Sequence, residues 1–269
     1  MNLEIKEFAA SFNGRRVAYV PELTLSSNEI VGIVGESGSG KSMTAMALLG
    51  LAGRLGAHVT GSIRLDGVEL VGADDPVLRE IRGCRIAPIL QTPSTAFNPV
   101  LRVGKLFTRT LALHGVKSRS LQQERTEAAL ASVLLPSTVL RRYPHQMSGG
   151  QLQRVSIALA LALQAELLLA DEPTSALDVT IQAEILDLIA KLREEQGLAV
   201  LMISHDIGAL ARIADRLVVM KAGRVVETGP TSAVITSPTH AYTRELIDAI
   251  PGLVDLDNDT SEDADAAHT

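Results

Sequence analysis

The octapeptide Gly35-Glu36-Ser37-Gly38-Ser39-Gly40-Lys41-Ser42 decides how this chain is read. It fits G-x-x-x-x-G-K-[ST] at every position. Glycines let a backbone wrap tightly, so that several N–H groups converge on one anion. The helical pattern that begins at Lys41 adds the positive end of its dipole. Lys41 can then reach the β- and γ-phosphates of a nucleoside triphosphate, and Ser42 offers a hydroxyl to Mg²⁺. A flexible glycine-rich turn is the bland alternative, and the surroundings argue against it. Glu29 to Val34 is an apolar, β-branched run suited to a buried strand, and Lys41 to Leu51 is helical. That is the strand–loop–helix setting the motif requires. Alone, the octapeptide implies a bound nucleoside triphosphate and leaves kinases, GTPases and motors open.

Further strands are expected at Arg85 to Leu90, where Pro88 interrupts the run, at Leu167 to Ala170, Ala199 to Ile203 and Leu217 to Met220. Helical patterns intervene at Gln151 to Leu163, Val179 to Glu195 and Ile207 to Ala214. Strands alternating with helices predict a mostly parallel, doubly wound sheet. Thr92 to Gln146 differs: it holds few strand-like runs and a clear helical pattern at Leu121 to Leu134, as expected of a helical insertion. Asn2 to Leu25, with Ser62 to Leu65, alternates as a small antiparallel sheet would. The expected fold class is α/β: a P-loop NTPase core of the RecA-like kind, a small antiparallel β subdomain and an inserted α-helical subdomain.

Composition narrows the partners. The net charge is −6, yet Asp255, Asp257, Asp259, Glu262, Asp263 and Asp265 supply it all, and no Lys or Arg follows Arg244. No basic field for gripping nucleic acid is visible. The acidic end reads as a solvated, disordered tail. One cysteine, Cys84, makes no internal disulfide and no multi-cysteine metal site, which suggests a reducing compartment. Met1 to Ala10 lacks the basic start and apolar run of a signal peptide. Apolar stretches such as Ile157 to Leu163 are too short to span a bilayer. A chain soluble by itself and cytoplasmic is expected.

Leu167-Leu168-Leu169-Ala170-Asp171-Glu172 puts two carboxylates at the end of a buried strand. In open parallel sheets ligands sit at the carboxyl ends of strands. Asp171 is expected to reach the metal through water, and Glu172 to polarise an attacking water as general base. Alone, an ordinary solvated Asp-Glu pair would be the better reading; the octapeptide reverses that. Ser148-Gly149-Gly150-Gln151 precedes another helical stretch and is a second anion site at a helix N-terminus. One nucleotide cannot easily meet both sites in one subunit, because the first already surrounds its phosphates.

These residues resemble the ABC transporter ATPases, and the resemblance covers nearly the whole chain. Ser148 to Gln151 matches that family's signature, with Met147 where Leu is usual, 23 residues before Asp171. The resemblance implies that this segment closes over ATP held by an opposite subunit, so that two subunits sandwich two ATPs. It implies that Gln91 senses Mg²⁺ and the attacking water, and that the helical insertion it begins touches the permease. It also implies that Ser175-Ala176-Leu177-Asp178 crosses the dimer interface, with Asp178 near the nucleotide. His205 is similar to the switch histidine at the γ-phosphate, and Phe12 to the aromatic that stacks on adenine. Tyr19 competes with Phe12, which spacing favours. His58, His114 and His145 have no metal-like spacing, and Arg141, Arg142 and Tyr143 are expected to orient the signature.

The implied organisation is an ABC ATPase domain over 1–250, with its RecA-like core at 1–91 and 155–230 and its helical subdomain at 92–154. A C-terminal family extension follows at 231–253 and the acidic tail at 254–269. Gln91 to Pro99 and Ser237 to Leu246, with the run Pro-Thr-His-x-Tyr-Thr-Arg, are similar to peptide and nickel importer ATPases. Many oligopeptide and dipeptide members carry a C-terminal cysteine cluster, absent here, and Ala96-Phe97-Asn98-Pro99 leans toward the nickel or metal-chelate branch. The expectation is thus an ATP- and Mg²⁺-dependent subunit on the cytoplasmic face of the membrane, importing peptides or nickel. Its implied partners are a second ABC ATPase, as a heterodimer, two permease subunits and an extracytoplasmic solute-binding protein. An exporter ATPase, or a soluble ABC ATPase working on DNA repair or the ribosome, is the alternative.

Overall fold

A computed structural model describes residues 1–250. The expected tail, 254–269, and the end of the extension, 251–253, lie outside the described residues. The strands are β1 (Asn2–Phe12), β2 (Arg15–Ser26), β3 (Ile30–Val34), β4 (His58–Leu65), β5 (Val68–Glu69), β6 (Ile86–Ile89), β7 (Leu167–Asp171), β8 (Ala199–Ser204), β9 (Arg216–Lys221) and β10 (Arg224–Pro230). The helices are α1 (Lys41–Leu48), α2 (Asp75–Ile81), α3 (Pro93–Ala96), α4 (Val103–Leu113), α5 (Arg119–Ser132), α6 (Gly149–Ala162), α7 (Val179–Gln196), α8 (Ile207–Ala211), α9 (Thr231–Thr236) and α10 (Ala241–Asp248).

Two sheets form. One is four-stranded and antiparallel, in the order β2-β1-β4-β5; the other is six-stranded, in the order β10-β9-β3-β8-β7-β6. The larger sheet is parallel from β9 to β6. Every residue of β3 and β8 is buried, as their unbroken apolar runs demand of strands covered on both faces. Side chains alternate between the faces and sort the core. Ile30, Val34, Leu168, Ala170, Val200 and Met202 pack with α6, α7 and the helical segment. Val31, Ile33, Leu167, Leu169, Leu201 and Ile203 pack with α1 and the antiparallel sheet.

Several details depart from the sequence pattern. Pro88 does not break β6, because β6 is the edge strand and Pro88 is exposed, so its missing N–H leaves no ladder partner wanting. The helix after the cradle stops at Leu48 rather than Leu51, where Gly50 turns left-handed at φ 61°. Strand β10 was not anticipated, since it is half-exposed and weakly patterned. It returns antiparallel to β9 through Ala222 and Gly223, at φ 49° and 77°, the two left-handed residues that a tight hairpin needs.

Residues 92–146 contain α3, α4, α5 and two short 3-10 turns, Ser137–Arg141 and Pro144–Gln146. Val103, Phe107 and Leu111 of α4 lie on one buried face at helical spacing and join α6 in the core. Parallel register places Val34 beside Ser204 and Asp171 beside Ile203. The carboxyl ends of β3, β6, β7 and β8 therefore share one edge, and the loops carrying Gly35, Gln91, Glu172 and His205 leave from it.

Candidate functional site

The loop Gly35–Ser42 leaves β3 and enters α1. A Cβ on Gly35 would run into the carbonyl oxygen of Met220, and one on Gly40 into Val17 O and Ala18 of β2, so both positions require glycine. Glu36, Ser37 and Gly38 form an exposed rim, whereas Ser39 and Lys41 are buried. The Lys41 amine folds back on its own loop, donating to Gly35 O at 2.6 Å and Glu36 O at 2.9 Å. Burial pushes the amine below its ordinary range, against the opposing pull of Glu172, Asp171 and Glu36. The buried Ser39 hydroxyl has no partner among the described residues. A loop that holds a buried cation and an unspent hydroxyl suits an anionic ligand.

The carboxylates stand beside it. Ser42 Oγ donates to Asp171 Oδ1 at 3.3 Å. Burial pushes the Asp171 carboxyl up and the Glu172 charge adds to this, while the Ser42 hydrogen bond works the other way. A half-buried carboxylate next to a hydroxyl, with the amide of Gln91 nearby on Glu172, is an oxygen donor set of the kind that Mg²⁺ takes together with phosphate and water. Among the described residues no group of three or more His, Cys, Asp or Glu could hold a metal unaided. The residues fit a metal that arrives with a nucleotide.

Glu172 gathers the remaining groups. Its backbone is left-handed at φ 48°, and its N–H donates to Ile203 O at 2.8 Å, tying the turn to β8. Gln91 Nε2 donates to its Oε2 at 3.2 Å, and His205 Nδ1 lies 3.3 Å from its Oε1. The Ser175 hydroxyl donates to its carbonyl at 3.1 Å. Gln91 and His205, from two separate loops, thus meet on the partly exposed Glu172 carboxylate of a third, beside the Ser42–Asp171 contact.

The second predicted anion site stays apart. Ser148 and Gln151 cap α6 reciprocally, each backbone N–H donating to the other's side chain at 3.3 Å. Gly149 and Gly150 face Leu177 and Ile181, where added Cβ atoms would press on those side chains. Asp178 accepts the N–H of Ile181 at 3.0 Å as the N-cap of α7. The signature and the Ser175–Asp178 loop are therefore neighbours of each other, and Ser148 and Gly149 are exposed.

The two aromatic candidates separate. Tyr19 lies between the buried Ala18 and Val20, on the opposite face of β2; its hydroxyl donates to Glu7 at 2.8 Å, and Arg16 stands 4.8 Å from its ring centre. Phe12 is half-buried at the end of β1 and packs with the core beneath the antiparallel sheet. One contact had no sequence signal at all: the Glu36 N–H donates to the Tyr242 hydroxyl at 2.9 Å, across 206 residues.

The chain is similar to known proteins in both sequence and fold. The family profile described as ABC transporter matches residues 20–175. An ATP-binding protein of Brucella abortus (strain 2308), named for peptide import, is 46% identical over 239 residues, 88% of this chain and 71% of that protein. The oligopeptide transport ATP-binding protein OppD of Lactococcus lactis subsp. cremoris (strain SK11) is 40% identical over 263 residues, 96% of this chain and 78% of its own length. Among solved structures, the dimeric post-hydrolysis state of the ATP-binding cassette MJ0796, bound to ADP and Pi, superimposes with a TM-score of 0.71. It is 31% identical and covers 85% of this chain and 98% of the other.

Proposed function

Because this chain belongs to the ABC transporter family and is one of its ATP-hydrolysing cassettes, we propose that it powers import of peptides through separate permease subunits. Among the described residues no helix is long and apolar enough to cross a membrane. The membrane path therefore belongs to partners: two permease subunits, fed by an extracytoplasmic solute-binding protein, with this chain on their cytoplasmic face. Peptide rather than nickel cargo rests on the names of the relatives.

The observation that carries the mechanism is the Glu172 carboxylate held between Gln91 and His205, beside Asp171, Ser42 and Lys41. Lys41 exchanges its two carbonyl partners for the β- and γ-phosphates of ATP, and Gly35 to Ser42 supply the backbone N–H groups. Mg²⁺, when bound with ATP, would be held by Ser42, Asp171 and Gln91 and would neutralise phosphate charge. Glu172 accepts a proton from the water that attacks the γ-phosphorus. His205 steadies Glu172 and the γ-phosphate, and Phe12 packs on the adenine.

Ser148 to Gln151 present their helix N-terminus to ATP held by a second cassette, and Asp178 lies at the seam between the two. Gln91, at the root of the helical segment, passes closure to the permease. A heterodimer of two different cassettes fits the importer reading.

The test is isolation of the chain from its native membrane. Co-purification with two polytopic subunits, and ATP hydrolysis stimulated by a peptide-loaded binding protein, is the expected result. Stimulation by a nickel-loaded binding protein alone would replace peptide with metal. Recovery with no polytopic partner would overturn the transport reading.

A further inference from the structure

The segment Pro238-Thr239-His240-Ala241-Tyr242-Thr243-Arg244 is built around one buried ring. Glu227 of β10 accepts the N–H groups of Thr239 and His240, at 2.7 and 3.0 Å, and the Thr239 hydroxyl at 2.9 Å. Burial alone would raise the Glu227 carboxyl; these hydrogen bonds outweigh it and hold the group below its usual range. His240 Nδ1 accepts the N–H of Tyr242 and starts α10. Arg244 reaches back to the carbonyls of Pro238 and Thr239, at 3.2 and 2.9 Å. The outcome of this wrapping is that Tyr242 is only 2% exposed. The Lys221 amine stands 4.2 Å from its ring centre.

The hydroxyl of that ring accepts the N–H of Glu36. The other end of the same peptide unit, the carbonyl of Gly35, accepts the Lys41 amine. One peptide plane at the mouth of the cradle is thus held at both ends, by the lysine on one side and by α10 on the other. When Lys41 turns to phosphate it releases Gly35 O, and only the Tyr242 contact still fixes the plane. A second tie lies further along, where the N–H of Gly223 donates to Ser39 O at 3.1 Å.

We propose that Tyr242 is a positioning residue for nucleotide binding, which keeps the Gly35–Glu36 peptide in its ligand-ready orientation while Lys41 exchanges carbonyl for phosphate. The proposal deepens the ATPase reading and rests on Gly35–Ser42 being the phosphate cradle. It gives the C-terminal segment a task at the site: α10 sets how readily the cradle closes on ATP.

Tyr242→Phe keeps the ring and its packing and deletes only the hydroxyl. In the full chain its Kd for ATP should rise about fivefold, as expected for one lost hydrogen bond. Its kcat at saturating ATP should stay at the wild-type value, and its thermal midpoint without nucleotide should fall only slightly, since the Glu36 N–H lies at an exposed rim where water can replace the hydroxyl. Glu227→Ala, which unties Thr239 and His240, should weaken ATP binding in the same direction. Wild-type affinity in Tyr242→Phe, with weak binding only in Tyr242→Ala, would mean that the ring merely packs, and would overturn the proposal. Lys41→Ala distinguishes the two readings. If it loses ATP while Tyr242→Phe binds normally, only the Tyr242 proposal falls. If Lys41→Ala binds ATP as wild type does, the cradle reading falls and takes the proposal with it.

Discussion

Two loops in this chain are proposed to meet phosphate, and they differ in how far the chain completes them. The cradle at Gly35–Ser42 is closed on itself. Its lysine is 5% exposed and bonded to two of its own carbonyls, Gly40 and Gly35 are locked against β2 and β9, and Tyr242 ties down its first peptide. The signature at Ser148–Gln151 rests on its own cap and on Leu177 and Ile181, and its first two residues are exposed. On the proposed reading, one loop is preformed for phosphate and the other would meet phosphate only across a contact between two cassettes. A molecule with one finished and one half-finished phosphate site is most simply understood as half of a pair, and the variants below separate the roles of the two halves.

The largest effect is expected at the carboxylate that collects Gln91 and His205. Glu172→Gln should lower steady-state turnover by about 10²–10⁴-fold, the range of a lost general base, with ATP affinity retained. Turnover and equilibrium binding measured on the same preparation check this. Lys41→Ala should act on binding instead, weakening ATP by about 10–100-fold, the cost of charged hydrogen bonds. Ser148→Ala strikes the other half. Nucleotide binding by the single chain should be unchanged, while turnover in the assembled complex falls about tenfold and the end of α6 loses about 1 kcal/mol of capping.

The smallest effect is one of stability. Asp171 is held above its ordinary pKa by burial, so its ionised form weakens the ligand-free fold. The penalty is absent at low pH, where the group is protonated in both the folded and unfolded states. It grows as pH rises past the ordinary carboxylate value and is complete above the raised folded value. Asp171→Asn should therefore melt with the wild type in acid and slightly above it at neutral pH without nucleotide. The same variant should lose Mg²⁺-dependent hydrolysis.

What the sequence made legible follows from how each signal is encoded. The cradle, the carboxylate pair and the signature are contiguous motifs, and the strands beneath them are unbroken apolar runs such as Ile30–Val34 and Ala199–Ile203. Arg85–Leu90 was readable despite Pro88 only because β6 turned out to be an edge. Strand β10 escaped because its residues are half-exposed and its turn, Ala222-Gly223, lacks the Asn or Asp that usually marks such a hairpin. The meeting of Gln91, Glu172 and His205 could be expected only through family likeness, since no spacing encodes it. The Glu36–Tyr242 hydrogen bond joins residues 206 apart, a fact of the tertiary fold alone. Phe12 and Tyr19 were separated by sidedness: the hydroxyl of Tyr19 is already engaged by Glu7 on the outer face.

The central claim is that the exposed signature completes the cradle of another cassette. Sedimentation velocity of the Glu172→Gln chain, alone and mixed with its co-purifying ATPase subunit, tests it most directly. ATP should convert monomer to dimer in at least one of the two samples, and Ser148→Arg in the same background should abolish the conversion. A Glu172→Gln chain that binds ATP yet stays monomeric in both samples, or that dimerises equally well with Ser148→Arg, would contradict the claim.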